Sequence, residues 1–282
     1  MLAIQFENKV DAALLYAKLQ QNCVNYPEYA NDIEFRYSKV TIQEPCRNRN
    51  QWMNAFLIPS IAEFIIQAYE ESWMAEIIEQ TFLFKSFEEQ EQIVAIARSI
   101  IAGEKKDIPI RGIPAGKDRT VFIHDALDKI FADTPSFSFE SFVRFRLRDY
   151  RERLRKYVEA AIDEYKMEQE YQDFIENARR YVGCKQAAAA VVHLIHGQKV
   201  LFFDSEWKPI RQADVLDPVE EQFIRDQHLD PAAFVIAPLL SLVPRKIILY
   251  TEQIDHGIVR TVQNIFEERV VILPRHENPL NI

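Results

Sequence analysis

Between Pro135 and Gly183 the chain contains neither proline nor glycine. Proline removes a helix hydrogen bond and glycine costs backbone entropy, so a stretch lacking both is free to propagate a helix. Roughly 40 residues at ~1.5 Å per residue would extend ~60 Å, well past the usual globular helix. The expectation is one long helix or two nearly continuous ones, with a kink allowed at EYKMEQE (164–170).

The rest of the chain arranges itself around that helix. Residues 1–50 read as strand, helix, strand: LAIQF alternates, VDAALLYAKLQ repeats apolar residues at helical spacing, and IEFRYSKVTI alternates at period 2. Residues 51–183 read as a helical region. Ser86 begins SFEE, a capping-box pattern, and Gly103 is placed to end that helix. KKDIPIRGIPAGKD (105–118) breaks the pattern. Residues 184–282 read as a small α/β domain, with strands in VVHLIHGQKVLFF, KIILY and RVVILP and a helix over IVRTVQNIF. Asp217-Pro218 and Asp230-Pro231 each place a capping aspartate before a proline at a helix start. The fold class that follows is α+β.

Within the long helix, SFVRFRLRDYRERLRKY (141–157) holds seven Arg or Lys against Asp149 and Glu152, a local +5 in a chain of net charge −9. On a helical wheel Val143, Leu147, Tyr150, Leu154, Tyr157, Val158, Ala161 and Tyr165 share one face, a stripe that belongs in a core. Arg144, Arg148, Arg151 and Arg155 form a row on another, with forked donors suited to carboxylates or phosphates. Arg148–Glu152, Asp149–Arg153 and Arg155–Glu159 have the spacing of local ion pairs, which leaves Arg144 and Arg151 without one. Residues 158–182 then carry seven acids against Lys166, Arg179 and Arg180. A basic half followed by an acidic half is self-complementary, and SFEEQEQ could also match it within the chain. The plain reading is a solvated helix face. The functional ones are docking of a protein, a second copy included, or, as the alternative, binding of nucleic acid.

Candidate chemistry fails elsewhere. GIPAGKD (112–118) lacks the P-loop spacing and has Asp118 where a Mg²⁺-binding hydroxyl belongs. Glu206-Trp207-Lys208 has the E-x-K pattern of some metal-dependent nucleases, but such a site needs a second carboxylate from elsewhere in the sheet, and Asp204 is only two residues away. His193 and His196 would share a face on a helix; on a strand they point apart, and no C-x-x-C supplies further zinc ligands. His124-Asp125 lacks the partners of a metal phosphohydrolase, and no G-x-S-x-G is present. No catalytic residue, metal or cofactor is expected.

Six glycines argue against most nucleotide loops, and the net charge of −9 argues against a protein that coats nucleic acid. The longest apolar runs are too short to span a membrane, and the N-terminus lacks the pattern of a signal peptide. Cys23, Cys46 and Cys184 are odd in number and far apart, which fits a reducing cytoplasm.

FVRFRLRDY (142–150), followed by EYKMEQEYQDFIE (164–176), resembles the signature of the YtxC-like sporulation protein family. LLSLVPRKIILY (239–250) is similar to that family's C-terminal segment. The resemblance implies a soluble protein of endospore-forming bacteria associated with sporulation, and implies no particular activity. The leading expectation is a non-enzymatic protein acting through protein contacts at Arg144, Arg148, Arg151 and Arg155. Nucleic-acid binding through the same row is second. An enzyme with its site near Asp204, Glu206 or His256 is third.

Overall fold

The computed structural model describes every residue except 46, 106–107, 109, 111–118, 212–214, 216–231 and 281–282. The GIPAGKD loop, the caps expected at Asp217 and Asp230, and Cys46 lie outside the described residues. The architecture is α+β, with two small mixed sheets and a predominance of helix. Its contacts divide the chain into two compact units, Met1–Lys166 and Met167–Ile282. No helix among the described residues is long and apolar enough to cross a membrane.

In the first unit, β1 (Leu2–Gln5), β2 (Ile33–Arg36), β3 (Lys39–Ile42) and β4 (Ser136–Ser138) form a sheet of order β2-β3-β1-β4. The segment expected as a single strand, IEFRYSKVTI, is a hairpin instead. Tyr37 turns the chain at φ 56°, a left-handed conformation uncommon for a bulky residue. Leu2, Ile4, Val40 and Ile42 are buried on this sheet, which α1 (Lys9–Asn22) covers from a cap at Asn8, whose side chain accepts from the amides of Val10 and Asp11.

A short helix, α2 (Arg49–Trp52), runs through a π-helical turn, Met53–Leu57, into α3 (Ile58–Gln80). Pro59 explains the turn: it has no N–H to donate, and the wider winding lets the Ile58 amide reach the Met53 carbonyl. Helix α4 (Phe87–Ile101) starts at Ser86, whose hydroxyl accepts from the Glu89 amide and bonds Glu88. It ends with Gly103 at φ 76° and with the Gly103 and Glu104 amides bonded back to Ile100 and Ser99, a Schellman closure. Helix α5 (Thr120–Asp133) packs on α3.

The long helical stretch is interrupted once. Helix α6 (Phe139–Arg146) is followed by Leu147 at φ −96°, ψ 17°, and then by α7 (Arg148–Cys184). The break falls at Leu147 rather than at 164–170, where α7 runs without interruption. Leu147 is fully buried, so the chain turns about a core residue with no proline or glycine involved. Boundary and helix coincide: residues 148–166 of α7 belong to the first unit, and the remainder to the second. The stripe read from the sequence is the core contact, with Leu147, Tyr150, Leu154, Val158 and Ala161 all nearly inaccessible.

In the second unit, β5 (Val191–His196), β6 (Val200–Phe203), β7 (Lys246–Tyr250) and β8 (Val270–Leu273) make a sheet of order β6-β5-β7-β8. β5 and β6 form an antiparallel hairpin, and β5, β7 and β8 run parallel. Val192, Leu194, Ile247 and Leu249 on one face pack with α8 (Ala232–Leu242), α9 (Gly257–Phe266) and the end of α7 through Phe174, Ala178 and Val182.

Candidate functional site

The four arginines of the row meet different fates. The Arg151 guanidinium bonds Glu76 of α3 at 2.7 Å and lies over the Trp73 ring, 5.8 Å from its centroid. Arg155 sits between Glu152 at 2.7 Å and Glu159 at 2.6 Å. Its hydrogen bonds hold the Glu152 carboxyl below the usual carboxylate range. Of the expected local pairs, Arg155–Glu159 forms, while Glu152 turns to Arg155 rather than Arg148. Arg153 is buried, its guanidinium over the rings of Phe122 and Tyr157.

Arg144 and Arg148 are exposed, and no carboxylate among the described residues pairs with either. Between them in sequence, Phe145 is 70% exposed, with the Arg144 guanidinium 5.5 Å from its ring centroid. Phe145 is the penultimate residue of α6, two positions before the break at Leu147. Arg146, next along, bonds Asp133 at 2.8 Å.

A buried ionic cluster lies behind the row. Glu70 of α3 is 6% exposed. Arg119 donates to it twice, from Nε at 2.9 Å and from Nη2 at 3.4 Å, and the Tyr150 hydroxyl donates to the same carboxylate. Burial and the adjacent Glu70 charge push the Tyr150 phenol far up, so it remains a donor. Burial opposes the Arg119 charge, and Glu70 outweighs it. With every member engaged, the cluster fastens α3, α7 and the start of α5 together. Its sequence signal is an acid on an apolar stripe, since Glu70 shares helical spacing with Trp73 and Ile77.

Among the C-terminal candidates Asp204, Glu206 and His256 do not converge, whereas the rings of His196 and His256 come within 4.5 Å, centroid to centroid. Asp204 accepts from the amides of Glu206 at 2.8 Å and Lys208 at 2.9 Å, closing a turn, and the exposed Glu206 and Lys208 side chains pair at 2.6 Å. This turn follows β6, whose end is beside the start of β5 because Phe203 is in register with His193. His256 caps α9 beyond the other end of the sheet, accepting from the Ile258 amide. His193 and His196 point to opposite faces, as strand alternation requires. His193 stacks on Trp207 at 4.1 Å, a contact reached because Trp207 takes φ 60°. His196 Nδ1 lies 3.0 Å from the Thr251 hydroxyl. The same hydroxyl oxygen accepts from the Gln253 amide, which ties the His196 ring to the chain just beyond β7. Among the described residues no group of three or more His, Cys, Asp or Glu is arranged to hold a metal ion.

Burial pulls both histidines below their ordinary value of 6.5; Asp204 works against it at His193, while His256 and Arg275 add to it at His196. Their neutral forms are therefore favoured by folding. This contribution is complete above ~6.5 and is lost as pH falls through that value toward the folded-state values, because the unfolded chain then binds protons the folded one rejects. The urea midpoint reported by Trp207 fluorescence is expected to fall between pH 7 and pH 5. The double variant His193→Gln/His196→Gln should flatten that decline.

A family model for the YtxC-like family matches residues 55–271. A protein of Bacillus subtilis (strain 168), named uncharacterized protein YtxC, is 35% identical over 276 residues, covering 98% of this chain and 95% of that protein. No solved structure matches the chain. The family match spans the arginine-bearing helix and all four strands of the second unit's sheet up to Val271, and the chain belongs to the YtxC-like family.

Proposed function

We propose that this is a cytoplasmic, sporulation-associated protein that acts through protein contacts, with Arg144, Phe145 and Arg148 as its docking surface. The observation that carries the reading is Phe145, 70% exposed and flanked by two arginines with no carboxylate partner among the described residues. Aromatic and arginine side chains dominate the binding energy of protein interfaces, and one exposed ring between two forked cations is that combination. The sporulation setting and the cytoplasmic location rest on what the family resemblance implies and on the scattered cysteines.

Nucleic-acid binding is disfavoured by the same geometry. A phosphate-tracking row needs several available cations, and Arg151 and Arg155 are already bound to Glu76, Glu152 and Glu159. The test is quantitative affinity capture from sporulating cells with wild type and with Arg144→Glu/Phe145→Ser/Arg148→Glu, after circular dichroism shows equal helix content. Loss of specific proteins from the variant supports docking at this surface. An unchanged set of captured proteins overturns it. Tight nucleic-acid binding that weakens steeply with salt, read by fluorescence anisotropy, would replace it with the alternative.

A further inference from the structure

We infer that the surface at Arg144, Phe145 and Arg148 docks a second copy of this chain, in the groove between α3 and α4. The inference rests on the docking role proposed for that surface and names its occupant. The groove is open to solvent, with a volume of about 370 Å³, and is lined by Ala75, Val94 and Ala95 and by Phe87, which is itself 67% exposed. Glu71 and Glu91 line its rim. Glu71 pairs with Arg98, whereas Glu91 and the neighbouring Glu88 are exposed and have no ion-pair partner among the described residues.

The two surfaces complement each other in shape and sign. One is an exposed ring beside two arginines with no carboxylate partner among the described residues; the other is a small groove with an apolar floor, bordered by the Glu71–Arg98 ion pair and by the exposed Glu91, two carboxylates against one guanidinium. Each presents an exposed ring to solvent, Phe145 on one and Phe87 on the other. The cavity is at the small end of ligand pockets, which run from about 300 to 1,000 Å³. That suits one aromatic side chain, which removes roughly 150–250 Å² from water when buried. The two patches are also near neighbours. Arg151, one turn beyond Arg148, bonds Glu76, and Glu76 adjoins the groove residue Ala75 on α3. A two-fold axis would let each copy give its ring and receive the other's, so every contact occurs twice. A single ring falls short of the ~1,200 Å² of a stable interface, and the doubled arrangement brings both acidic α4 faces against both arginine pairs.

The experiment is sedimentation of the full chain over a concentration series at low and high salt. The expected result is a monomer–dimer equilibrium that weakens with salt. Phe145→Ser should weaken dimerisation roughly 30-fold or more, the loss expected for a buried aromatic anchor. Arg144→Glu/Arg148→Glu and Glu88→Lys/Glu91→Lys should each be monomeric alone and should associate with each other when mixed, because both contacts in the mixed dimer regain opposite charges. A wild-type chain that stays monomeric, a dimer unaffected by Phe145→Ser, or charge variants that fail to associate on mixing would overturn the inference. Any of these leaves the capture experiment above free to succeed with a different partner, so the two readings fail separately.

Discussion

Glu70→Ala is expected to destabilise the first unit by roughly 3 kcal/mol, which lowers its unfolding midpoint by about 6–12 °C. The substitution removes the acceptor of three hydrogen bonds at once: two from Arg119 and one from Tyr150. It leaves a guanidinium and a phenol with no partner for their inward-facing protons. Breaking a buried pair in this way costs about 3–5 kcal/mol. The low end applies because the Arg119 side chain is 28% exposed and can recover part of its hydration. Glu70→Gln should cost less, since an amide oxygen still accepts from both neighbours. Tyr150→Phe should cost about 1 kcal/mol, the worth of a single hydrogen bond. A useful contrast is Glu76→Ala, which breaks the half-exposed bridge to Arg151 and should cost at most ~1 kcal/mol. If Glu70→Ala and Glu76→Ala melt alike by circular dichroism, the buried cluster does not hold these helices together.

The second large effect is expected from Leu249→Ala in β7, at roughly 3 kcal/mol. Leu249 is fully buried in a central strand, in register with Leu194 of β5, and both face the helices that cover the sheet. Truncation leaves a cavity walled by strands on both sides, and strands tied into a hydrogen-bond ladder cannot close around it. The chain holds three tryptophans, which separate the two units spectroscopically. Trp52 and Trp73 belong to the first unit, and Trp207 to the second. Red-edge emission and quenching of Trp207 by the stacked His193 should report the loss. Equal urea midpoints for wild type and Leu249→Ala would show that this layer of the core collapses without penalty.

Much of the fold was legible because it follows from spacing. The stripe from Leu147 to Tyr165 repeats every three or four residues, and those residues are the ones buried. KIILY and RVVILP are short, apolar and β-branched, and both are strands. The omissions have physical causes. β4 is three residues long, too short to alternate visibly, and owes its pairing to β1. The turn at Tyr37 uses a left-handed tyrosine where glycine or asparagine would have given a signal. The break at Leu147 is made by packing and carries no breaker residue. At the site, the arginine row and the Arg155–Glu159 pair could be read from their spacing, but the acid that neutralises Arg151 could not. Glu76 reaches Arg151 from 75 positions away, and only tertiary structure sets that distance.

β1 occupies an interior place in its sheet, with β3 on one side and β4 on the other. Its first partner follows within a few dozen residues, but its second, Ser136–Ser138, arrives more than a hundred residues later. A ribosome adds about 5–20 residues per second, so the nascent chain carries β1 with one open hydrogen-bonding edge for on the order of ten seconds. During that interval α1 and α3 can fold locally, while the sheet that α1 covers is still unfinished. Fragments ending before residue 136 would keep that edge open permanently and should aggregate, whereas those extending past the start of α6 should not.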